Sequence, residues 1–154
     1  MRLSDLLPSE QIRVPLRART KSEAVDELLA LLPLADDAQR TEVRASVLAR
    51  ETEMSTGIGR GVAIPHGKTA VVARHACAFG VAPEGIDYGA IDGLPCRIFF
   101  LCVSNPRDGG EHVRVLSQVA RVLNDARARA ALEGAQAADD VRRVFLDDEA
   151  REGL

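Results

Sequence analysis

The stretch "PCRIFFLCVS", Pro95–Ser104, decides the fold. Residues 98–103 form an unbroken apolar run, bounded by Pro95 on one side and by the turn-forming "NPRDGG" (105–110) on the other. Such a run is much too short to cross a bilayer, and its length and β-tolerant side chains suit a strand buried on both faces. "HACAFGVAP" (75–83) has the same character and runs into the turn signal "PEG", so it reads as a second buried strand. "GVAIPH" (61–66) contributes a shorter extended piece. "IRVPL" (12–16) is expected at a sheet edge, because Pro15 cannot donate to a ladder.

Outside this apolar centre the period changes. In "RTKSEAVDELLALLP" (19–33), Thr20 and Glu23 stand in capping-box spacing, and Val25, Leu28, Leu29 and Leu32 share one helical face ahead of Pro33. "AQRTEVRASVLARE" (38–51) follows an acidic turn at Asp36 and Asp37, repeats Val43, Val47 and Leu48 with helical period, and delivers Arg50 to its last turn. After Glu111, Val113, Leu116, Ala120 and Leu123 are expected to line one helical face. Asn124 or Asp125 then caps a short segment ending near Gly134, and a last helix runs through Val141, Val144 and Phe145. The order is strand, two helices, several strands, then helices, with no internal repeat and no linker long enough to divide domains. A sheet covered by helices on both faces follows.

Composition excludes several classes of function. The chain has 154 residues, 46% of them hydrophobic, which suits one packed domain. Its net charge is −3 and its 20 Lys and Arg are dispersed, so no basic stripe offers a nucleic-acid surface. Aromatics at 3% leave little for base stacking. Residues 1–10 carry charges where a signal peptide needs an apolar region, so no membrane insertion and a cytoplasmic location are expected. Cys77, Cys96 and Cys102 are odd in number and set in apolar contexts, which favours reduced core cysteines.

Between helix and strands lies "STGIGRGVAIPHGKT" (55–69), with glycines at 57, 59, 61 and 67. A phosphate-binding P-loop fails on count, since five residues (62–66) separate Gly61 from Gly67 where that motif has four, and on context, since a helix precedes the stretch. G-x-G-x-x-G fails too, because position 62 is Val. The plainer account has glycines making turns and His66 on a loop. It is weakened because His66 follows an apolar, extended "VAI", as if the chain crosses the core and re-emerges at its edge. A neutral imidazole has one nitrogen with a free lone pair, which can accept a phosphoryl group. Backbone donors and an arginine would then stabilise the product dianion.

"ARETEMSTGIGRGVAIPHGK" (49–68) resembles the active-site signature of enzyme IIA components of the bacterial phosphoenolpyruvate-dependent phosphotransferase system, fructose/mannitol class. Glu51, Ile58, Gly59, Val62, Ala63, Ile64, Pro65, His66 and Gly67 stand where that signature asks. The fuller "STGIGRGVAIPHGK" and "YGAIDGLPCRIFFLCV" (88–103) look most like the nitrogen-regulatory branch. The resemblance implies an α/β fold, a three-layer α/β/α sandwich with a mixed β-sheet flanked by helices, as a single EIIA type-2 domain over 1–154 with a core at about 3–146. It implies phosphorylation of His66, at Nε2, by a phosphohistidine on HPr or its nitrogen-branch counterpart. It also implies active-site roles for Arg50 and His112, and no cofactor or metal. Output would go to a regulatory target or, in the sugar-specific alternative, to an enzyme IIB; a module that no longer transfers phosphate is a third reading.

The chemistry of the residues agrees with these assignments. Arg50 can bind phosphoryl oxygens bidentately, although an arginine in a last helical turn also suits the helix dipole. His112 near a helix start can donate to the phosphoryl group or orient the acceptor, or stand as a solvated first-turn residue. Ser55, Thr56, Gly57, Gly59 and Gly67 are expected to support the phosphoryl loop, with turn formation as the ordinary alternative. Lys68 reads as a solvated lysine, Glu111 as favouring the helix N-terminus, and His75 as a rim residue. A metal site built on His66, His112 and a carboxylate has no supporting ligand spacing.

Overall fold

A computed structural model describes residues 2–154. The apolar centre of the sequence forms two long strands, β5 (Ala76–Ile86) and β6 (Cys96–Ser104), paired antiparallel with Phe79 opposite Phe100 and Cys77 opposite Cys102. Four short strands flank them: β1 (Ile12–Arg13), β2 (Gly57–Gly59), β3 (Val62–Ala63) and β4 (His66–Lys68). The sheet order is β1-β5-β6-β3-β2, with β4 also paired to β6. β1 runs parallel to β5 at one edge, where its short length and Pro15 suit it. β3 and β4 run parallel to β6, and β2 folds back antiparallel on β3, so the sheet is mixed.

Alternation along β6 explains why the sheet is covered on both sides. Ile98, Phe100 and Cys102 pack into one core with helix α1 (Leu3–Leu6), α4 (Gly109–Leu123), α5 (Ala126–Glu133) and α6 (Ala138–Glu152). Phe99, Leu101 and Val103 pack into a second core with α2 (Lys21–Leu29) and α3 (Asp37–Glu53). The result is the expected α/β/α sandwich. Thr20 caps α2 by accepting from the Glu23 amide, Asp36 caps α3 and Asp125 caps α5. All four phenylalanines and the single tyrosine are at most 1% exposed, so the few aromatics are spent on the cores. Phe79 stands edge-on to Phe100 and Phe145, at centroid distances of 6.4 and 5.6 Å, joining sheet to α6.

α4 departs from its sequence reading by one position. His112, Val115, Val119, Val122 and Leu123 are its buried residues, while Val113 and Ala120, expected on the buried face, are exposed. Apolar residues fill two adjacent stripes of this helix, so periodicity allows either face, and docking on the sheet selects the one that buries His112. Among the described residues no helix is long and apolar enough to cross a membrane.

Candidate phosphoryl site

His66 opens β4, which resumes the register that β3 holds against β6: Val62 lies opposite Ile98 and His66 opposite Cys102. Ile64 and Pro65 interrupt the strand between them. Pro65 has no N–H, but its carbonyl accepts from the Cys102 amide at 3.1 Å. The Ile64 carbonyl is left to His66 itself, whose Nδ1 approaches it at 2.8 Å. A carbonyl only accepts, so Nδ1 carries the proton and the lone pair of the neutral ring lies on Nε2. Partial burial pushes the His66 pKa below that of free imidazole; the Ile64 bond and Glu51 oppose the shift, while Arg50 and His112 add to it.

The main-chain geometry of His66 is anchored from α3. The buried Glu51 carboxylate accepts from the amide and hydroxyl of Thr56 and, at 3.0 Å, from the Tyr88 hydroxyl. It also pairs with Lys21 at 2.7 Å, and the Lys21 ammonium lies 4.7 Å from the Tyr88 ring centroid. Burial raises the Tyr88 pKa, so its hydroxyl stays a donor. The Thr56 carbonyl then accepts from the Ile64 amide at 2.9 Å, and the Ile64 carbonyl accepts from His66. One chain of hydrogen bonds thus runs from Glu51 to the imidazole.

Arg50, one residue before Glu51, points the other way. Its Nη1 donates to the Met54 carbonyl at 2.8 Å across the end of α3, and its Nε lies 3.9 Å from Glu53. The helix-end role and the anion-binding role are therefore compatible, because the carbonyl contact fixes a guanidinium that still lines a groove. That groove, about 570 Å³, is bounded by α3 from Glu42 to Glu53, by residues 66–69, and by His112. No described strand pairs with the outer edge of β4, since β2 reaches only β3, and this leaves His66 open to the groove.

His112 is 3% exposed, with its ring centroid 5.7 Å from that of His66. Its Nδ1 meets the hydroxyl of Ser104, the buried last residue of β6. The ring of His75 is near-parallel to it, 6.3 Å away with planes 18° apart, and His75 Nε2 is buried without a partner among the described residues. His112 thus stands 5.7 and 6.3 Å from the other two histidine rings of the chain, and His75 is not among the residues that line the groove. Among the described residues no set of three or more His, Cys, Asp or Glu side chains could hold a metal ion.

The glycine-rich loop serves the site differently from its sequence reading. Of the five residues expected to support a phosphoryl group, Gly67 alone lines the groove. A Cβ there would stand 2.5 Å from Ser46 Oγ and 3.1 Å from the Ser46 carbonyl carbon, so its bare backbone is what lets β4 lie against α3. Gly59, at φ 98°, and Gly61, at φ 80°, flank Arg60 in the β2–β3 hairpin, and Gly57 abuts Ala90. Ser55 accepts from the Gly57 amide, a local turn contact. Gly57 and Gly59 thus shape the hairpin, not the groove, because the backbone at β2 faces Ala90 and Asp92. Lys68 is exposed and borders the groove, and Glu111 pairs with Arg114 at 3.4 Å. Three contributors had no assigned role in the sequence reading: Glu51, although it stands in the signature, Tyr88 and Ser104. Cys77, Cys96 and Cys102 are buried and free, as read.

With this geometry in hand, similarity to known proteins is specific. A sequence model of the phosphoenolpyruvate-dependent sugar phosphotransferase system, EIIA 2, matches residues 5–148. A fructose-specific EIIABC component from Bacillus subtilis (strain 168) is 32% identical over 142 residues, 92% of this chain, which spans 22% of that longer protein. A fructose-specific EIIA component from Haloferax volcanii is 34% identical over 149 residues, 94% of this chain and 95% of its own length. Among solved structures, nitrogen regulatory protein IIA-Ntr from Neisseria meningitidis superposes with a TM-score of 0.84 at 29% identity, covering 93% of this chain and 98% of that one. The chain belongs to the EIIA type-2 family of the phosphoenolpyruvate-dependent phosphotransferase system.

Proposed function

We propose that this chain is a cytoplasmic phosphocarrier, a single EIIA domain that accepts a phosphoryl group on His66 from a phosphohistidine of an HPr-type carrier and signals by its phosphorylation state. The observation that carries the reading is the His66 tautomer: Nδ1–H is held by the Ile64 carbonyl, which leaves the Nε2 lone pair as nucleophile at a groove shared with Arg50 and His112. In the transfer the Nε2–P bond forms as the carrier's N–P bond breaks, and the bonding pair stays on the carrier's imidazole nitrogen. Arg50 neutralises phosphoryl charge, and His112 offers a donor across the groove. Catalysis is then positioning and charge stabilisation, with no metal or nucleotide.

A protein donor needs a surface to dock on. Met54, whose carbonyl holds Arg50, is 65% exposed, and Val113, next to His112, is 61% exposed. Apolar side chains presented this way beside a polar groove suit a docking rim for a protein carrier.

The regulatory reading is favoured by the likeness to IIA-Ntr over nearly the full length of both chains and by the "STGIGRGVAIPHGK" motif. The fructose-specific relatives favour a second reading, in which phosphate passes on to an enzyme IIB. Incubation with phosphoenolpyruvate, enzyme I and an HPr-type carrier tests the shared claim: an acid-labile, base-stable phosphoadduct is expected, and its absence overturns the assignment. Mixing the phosphorylated protein with fructose- and mannitol-type IIB domains separates the two readings, since phosphate is retained in the first and lost to IIB in the second.

A further inference from the structure

Ser104 closes β6 with no exposed surface, and among the described residues its hydroxyl has one partner, the Nδ1 of His112. The direction of this bond follows from what the hydroxyl can reach. Were Nδ1–H the donor, the hydroxyl proton would be buried without an acceptor, a cost that buried hydroxyls avoid. With the hydroxyl donating, its proton is used and Nδ1 is the acceptor. The neutral ring then carries its proton on Nε2, the nitrogen with no protein partner among the described residues, on a ring that borders the groove.

We propose that Ser104 is a positioning residue for phosphoryl transfer: its hydroxyl holds His112 as the Nε2–H tautomer, so that this N–H faces the phosphoryl group received by His66. The two imidazoles, 5.7 Å apart, are thereby set in opposite tautomers. His66 keeps its proton inside, on Nδ1, and offers a lone pair. His112 takes a hydrogen bond inside, on Nδ1, and offers a donor. A lone pair at His112 Nε2 would instead repel the phosphoryl oxygens. The positive end of α4, which begins three residues earlier at Gly109, favours the same anion.

This inference rests on the phosphocarrier reading for its consequence but not for its geometry, and the test separates the two. In ¹⁵N spectra of the histidine rings of the unphosphorylated protein near neutral pH, His112 should show a proton on Nε2 and a bare Nδ1, with His66 the reverse; a protonated Nδ1 on neutral His112 overturns the proposal. Ser104→Ala should slow phosphorylation from the HPr-type carrier by about tenfold, the scale of one charge-assisted hydrogen bond. In a His112→Gln background the same substitution should change the rate by less than about twofold, because the path through His112 is already gone. Equal slowing in both backgrounds, or none in the wild type, overturns the positioning role. Ser104→Thr, which restores the hydroxyl, should recover most of the lost rate, and failure to do so while the fold is intact counts against it. If the wild-type protein takes no phosphate at all, the phosphocarrier reading falls, while the tautomer assignment is still decided by the spectra.

Discussion

At the scale of single residues, the site couples one imidazole that must be neutral to a cation that must not be. Burial holds the His66 pKa below the usual value of about 6.5, so as pH falls the ring stays unprotonated further into acid than a free imidazole does. The rate of phosphorylation against pH should therefore lose its acid limb with a midpoint below 6.5; a midpoint at or above that value contradicts the site geometry. Arg50 makes one backbone contact to Met54 and one long contact to Glu53. Arg50→Ala should accordingly slow transfer by about 10²-fold or more while changing stability in urea by less than about 1 kcal/mol. That His66 and Arg50 share one groove was legible because a long motif carries them both. Ser104 was not: a serine ending an apolar strand has many ordinary roles, and its pairing with His112 arises only from the way β6 turns into α4.

At the scale of elements, the glycines show how a correct motif can carry an incomplete physical account. Their abundance suggested backbone donors for a phosphate, but three of the four build or back a hairpin, and the fourth lets a strand and a helix touch. Gly67→Ala should push β4 away from α3, costing about 1–3 kcal/mol in chemical denaturation and slowing phosphorylation with it. An unchanged stability would mean that Ser46 yields, and that the close approach is not what the site requires. Two helix starts were readable because Thr20 and Asp125 act within their own turns, whereas α2 ends at Leu29, short of the Leu32 expected on its face, and Asp36, read as part of an acidic turn, caps α3. The buried face of α4 was not, since two neighbouring apolar stripes compete and only the sheet chooses between them. The link from Glu51 through Thr56 and Ile64 to His66 spans three elements, so no local pattern could announce it.

At the scale of the molecule, the layered fold explains why these residues meet where they do. β4 and β6 run parallel and end together, α4 starts just beyond β6, and α3 ends beside β4, so the carboxyl ends of strands and the amino end of a helix converge on one groove. The two-sided sheet was readable from the order of elements and from the apolar run of β6, whose residues feed both cores. The register that sets His66 opposite Cys102 was not, because it depends on a strand broken by Pro65 and resumed in place. This register, together with the Ile64 carbonyl, should make Nε2 of His66 the phosphoryl acceptor. Phosphorylation of ¹⁵N-histidine-labelled protein through the carrier, read by ³¹P and ¹⁵N spectroscopy, tests it most directly. Phosphorus bonded to Nε2 of His66, and no adduct in His66→Ala, is the predicted result; phosphorus on Nδ1 of His66, or on His112 or His75, would contradict it.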